Sequence, residues 1–124
     1  MQESLAHIAE CPFYENTYAF FAADLTDDAS EVTKILGLAQ FTYAPEEAVF
    51  LSIKAVPGSE DDEAIIVMVR AVMAFLNRAE IPFVYAAEGS ADPAYLKKLG
   101  FRPTEDGRQG IDLQKFYRSH GHEA

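Results

Sequence analysis

Residues 61–79 contain neither glycine nor proline, and the breaker Pro57-Gly58-Ser59 stands just before them. So long a stretch predicts one helix in spite of the β-branched run Ile65-Ile66-Val67, because strands rarely exceed about ten residues. The carboxylates of Glu60, Asp61, Asp62 and Glu63 fall in its first turn, where they complement the helix dipole. Both flanks are strand-like. In 48–56, Val49, Leu51, Ile53 and Ala55 alternate onto one face, and 81–87 reads as a buried strand. Strand, long helix and strand in this order close a parallel pair through a right-handed crossover.

The helix has only Glu63, Arg70 and Asn77 as a polar stripe, spaced by seven, with Ile66, Val67 and Met73 close beside it. A helix so apolar is covered on more than one side. A second copy, pairing through this helix or a strand edge, is one expected source of that cover.

The rest of the chain supplies a meander before this unit and short elements after it. Residues 2–11 predict a short helix with Leu5, Ile8 and Ala9 on one face, ended by Cys11-Pro12. Strands follow at 18–25, closing in Thr26-Asp27-Asp28, and at 34–43, interrupted by Gly37; Ala44-Pro45-Glu46-Glu47 then turns into the third strand. Beyond residue 87, Asp92-Pro93 reads as N-cap and first helical residue of a short helix stopping at Gly100. Phe101 opens another strand, Asp106-Gly107 turns, residues 111–117 form the closing strand, and 119–124 is a frayed tail. The expectation is a single α/β (α+β) domain over 1–124: an antiparallel meander, a β-α-β unit, a short helix and C-terminal strands.

At 124 residues and 49% hydrophobic, the chain can bury a core without disulfides or metals. Its formal charge of −10 repels phosphate backbones and anionic lipid, which argues against nucleic-acid and membrane-surface roles. A lone cysteine, Cys11, cannot form an internal disulfide, and it reads as a small buried hydrophobe. No apolar run reaches membrane-spanning length and the N-terminus lacks a basic signal region, so a cytoplasmic location is expected. His120 and His122 lie in the terminal tail, where a metal site is not expected.

Leu96-Lys97-Lys98-Leu99-Gly100-Phe101, the strand Ile35-Leu36-Gly37-Leu38-Ala39-Gln40-Phe41 and a third strand ending at Pro57 stand in an order that resembles the GNAT N-acetyltransferase superfamily over 17–117. The resemblance implies a mixed sheet with splayed parallel strands, acetyl-CoA as cofactor and a small-molecule amine or a protein as acceptor. It places cofactor contacts on Ala55, Val56, Pro57, Ala64 and Ile65, with Tyr95 as a displaced general acid and Glu47, beside Glu46, near a general-base position.

Three positions depart from that pattern. The family's basic, glycine-rich cofactor turn aligns with Glu60, Asp61, Asp62, Glu63, Ala64 and Ile65, so carboxylates stand where a polyanionic cofactor would sit. Leu96 holds the general-acid position and has no proton to give, while the cofactor-binding asparagine aligns with Gly89. The reading is a divergent GNAT-like domain with weak or lost acyl-CoA binding; the alternatives are an active N-acyltransferase and a non-enzymatic interaction or dimerisation domain.

Overall fold

The structure, a computed structural model, describes residues 1–25, 27–28, 30–58 and 62–119. Thr26, Ser59, Glu60, Asp61, His120 and His122 therefore lie outside the described residues, and with them part of the first turn and of the acidic run.

The elements in chain order are α1 (Gln2–Ile8), β1 (Tyr18–Leu25), β2 (Val32–Tyr43), β3 (Glu47–Ala55), α2 (Asp62–Arg78), β4 (Phe83–Ala86), α3 (Pro93–Leu99), β5 (Arg102–Pro103), β6 (Gln109–Asp112) and α4 (Leu113–Ser119). The six strands form one sheet in the order β1-β2-β3-β4-β6-β5. β1, β2 and β3 are antiparallel neighbours, and β3 pairs in parallel with β4 across the α2 crossover. The mixed sheet, meander and β-α-β unit expected from the sequence are all present.

α2 buries Ile65, Met68, Val69, Val72, Met73 and Leu76 against one face of the sheet, which presents Ala39, Phe41, Phe50 and Val84. α1 covers the other face, where Leu5, Ala6 and Ala9 pack on Leu38. Ile8, expected on that face, is instead exposed, because the contact follows Leu5, Ala6 and Ala9 around the short helix. Gly37 does not interrupt its strand either: β2 runs through it, paired to Ala22 and Ala55. A Cβ there would collide with Ile65 Cδ1 and stand 3.0 Å from the Lys54 carbonyl oxygen, so glycine lets α2 approach the sheet.

The closing strand is shorter than expected. β6 ends at Asp112, whose carboxylate accepts a hydrogen bond from the Lys115 backbone N–H at 3.1 Å and so caps α4. α4 then packs on α2, with the Arg70 guanidinium 5.3 Å from the centre of the Phe116 ring. This chain thus supplies part of the second-side cover that the apolar α2 requires.

Candidate functional site

β3 is where the sheet opens. Its pairing with β4 runs only from Glu47↔Phe83 to Phe50↔Ala86, yet β3 continues to Ala55. A register shift falls at the same point on the other side: Phe41 pairs with Phe50 but Gln40 pairs with Ser52, leaving Leu51 as the extra residue of a bulge. The bulge bends β3 as it parts from β4. A cleft of about 510 Å³ lies beside the diverging segment, lined by Ser52, Lys54 and Ala55 of β3, by Gly89, Ser90 and Tyr95, and by Cys11 and Tyr14.

The chain leaving β4 ties itself to β3 inside this opening. The Ala87 N–H donates to the Phe50 carbonyl at 2.9 Å, the Ser90 N–H to the Ala87 carbonyl at 3.0 Å, and the Ile53 N–H to the Ser90 carbonyl at 2.9 Å. Gly89 makes that turn possible at φ +79, a conformation costly for other residues. Ser90 is buried, and its Oγ has no hydrogen-bond partner among the described residues.

The wall opposite is the N-terminal segment, held by one buried amide. Gln40 is fully buried; its Oε1 accepts from Gln2 Nε2 at 2.8 Å and from the Tyr14 N–H at 3.1 Å. Its Nε2 donates to the Pro12 carbonyl at 2.8 Å and approaches Cys11 Sγ at 3.7 Å. An amide within the apolar run 35–41 was the available signal, since a buried amide needs partners. Which partners it takes cannot be read from that run.

Of the residues named from sequence, the fold brings Ala55 and Tyr95 to the same cleft. The other candidates lie elsewhere. The Val56 N–H is bound to the Leu36 carbonyl at 2.9 Å and its side chain packs on the α1 cluster, while Pro57 is exposed in the turn. Ala64 lines a separate groove between β1 and α2, and Ile65 is in the core. Leu96, at the aligned general-acid position, is buried in the core as well.

Asp62 borders the cleft and forms a 2.6 Å ion pair with Lys98. Both side chains are more than half exposed, so the pair adds little stability. No group of three or more His, Cys, Asp or Glu residues that could hold a metal occurs among the described residues.

Glu47 sits at the opposite end of β3 from Ala55, a separation of roughly 26 Å at strand rise. Its carboxylate pairs with Arg108 at 3.1 Å. Arg108 also pairs with Asp106 at 2.8 Å and lies 3.5 Å from the centre of the Tyr85 ring, so it clasps the β5–β6 hairpin onto β3 and β4. The hydrogen bond from the Thr104 hydroxyl, followed by those from the Arg108 backbone and side chain, holds Asp106 down from 3.8 to about 2.

A carboxyl whose folded pKa is depressed stabilises the fold above its unfolded value and loses that contribution as pH falls through the folded one. The Asp106–Arg108 pair within the hairpin is therefore expected to persist below pH 3.8 and to be lost only toward about pH 2. Carbon-13 NMR titration of the Asp106 carboxyl measures this; a midpoint at the ordinary aspartate value would refute it.

A mixed six-stranded sheet, parallel strands that diverge beyond a bulge and a helix opening at the divergence define the fold of the GNAT N-acetyltransferases. The sequence matches no family model, and no curated protein sequence matches it. Solved structures carry the likeness. The ribosomal-protein-S18-alanine N-acetyltransferase from Escherichia coli superposes with a TM-score of 0.61 at 16% identity, over 90% of this chain and 87% of that one. A chimera of the spermidine N-acetyltransferase SpeG from Vibrio cholerae and hSSAT gives 0.58 at 14% identity, over 92% and 76%. The GNAT family N-acetyltransferase YhbS from Escherichia coli, crystallised with CoA, gives 0.54 at 15% identity, over 75% and 60%. At these identities the likeness is one of fold. No helix among the described residues is long and apolar enough to cross a membrane.

Proposed function

We propose that this chain is a divergent GNAT-fold domain that binds acyl-CoA weakly or not at all. The observation that carries this reading is the Ile53 N–H to Ser90 carbonyl bond, 2.9 Å long, in the opening between β3 and β4. A ligand lying along β3 there must do without that backbone donor or take it from Ser90, and taking it strands the buried Ser90 carbonyl at about 1–3 kcal/mol. Charge acts in the same direction. A polyanion approaching the start of α2 meets Asp62 and Glu63, and Glu60 and Asp61 precede them in the sequence, within a chain of net charge −10.

Acetyl-CoA titration followed by thermal denaturation tests this. A ligand at ten times its Kd adds about 1.4 kcal/mol, a rise of roughly 5 °C in a domain of this size. The expected result at millimolar acetyl-CoA is no saturable rise; a saturable one would overturn the proposal.

One observation favours a second reading, an active N-acyltransferase moving an acetyl group from acetyl-CoA to an amine. Tyr95 and Ala55 line the same cleft; the Tyr95 hydroxyl itself is buried, so under this reading the ring must turn toward the cleft to return a proton to a departing thiolate. Under that reading acetyl-CoA is consumed in the presence of an amine, and Tyr95→Phe lowers kcat while leaving KM for acetyl-CoA near its original value.

A further inference from the structure

We draw no further inference here: the strongest candidate, the apolar groove of about 430 Å³ between β1 and α2 bordered by Phe21 and Val67, carries none because nothing in the structure shows what covers it.

Discussion

Replacing Phe50 by alanine is expected to cost about 3–5 kcal/mol and to lower the melting temperature by roughly 10–20 °C. Phe50 is fully buried; its ring centroid lies 5.9 Å from that of Phe41 and 6.0 Å from that of Phe101, the latter edge-on at 81°. One side chain thus joins β2, β3 and Phe101, which stands just before β5. Its backbone stands at the last β3–β4 pair and its carbonyl holds Ala87, so the loss falls where the sheet divides. Because a domain of this size has only about 5–15 kcal/mol in total, the variant is expected to be partly unfolded at 37 °C. Denaturant titration measures the change; a loss below about 1 kcal/mol would show that the ring cluster relaxes into the cavity.

The second large effect is local. Gln40→Leu keeps most of the side-chain volume but removes both poles of the amide, leaving the Tyr14 N–H and the Pro12 carbonyl without that partner. Two stranded backbone groups cost about 2–6 kcal/mol if the structure holds its shape. Release of the N-terminal segment into water is the cheaper outcome, since it restores those hydrogen bonds to solvent. Limited proteolysis should then cut within residues 10–17 of the variant much faster than in the parent, while amide exchange in α2 changes little. Gln2→Ala removes one donor to Gln40 and serves as the milder control. Unchanged proteolysis in Gln40→Leu would mean that α1 is held by Leu5, Ala6 and Ala9 alone. The segment also carries Cys11 and Tyr14 on the cleft wall, so its release widens the candidate site.

Local rules were enough for much of the fold. Asp92 accepts from the Ala94 N–H at 2.9 Å as its N-cap position predicts, and Tyr18–Leu25 forms a strand as its apolar run predicts. Local rules misled where a distant neighbour intervened. Gly37 looked like an interruption and is instead the point where Ile65 meets the sheet. Residues 111–117 looked like one strand, but Asp112 caps a helix that packs on α2. The candidate site was the least legible part. The resemblance placed its cofactor contacts at 55–57 and 64–65, whereas the end of β3 turns Ala55 and the following Val56 to different surroundings and α2 buries Ile65.

The sequence by itself determined the unit of strand, helix and strand, because an uninterrupted run between breakers permits little else and a right-handed crossover follows from chain chirality. It also determined the acidity at the start of α2, since charge is carried by composition. Only the tertiary structure decided what the opening in the sheet can hold. The bulge at Leu51, the Ser90 carbonyl bound to Ile53 and the amide of Gln40 fixing the opposite wall are contacts between residues distant in the chain. Such hydrogen bonds depend on register and direction, and residue type specifies neither.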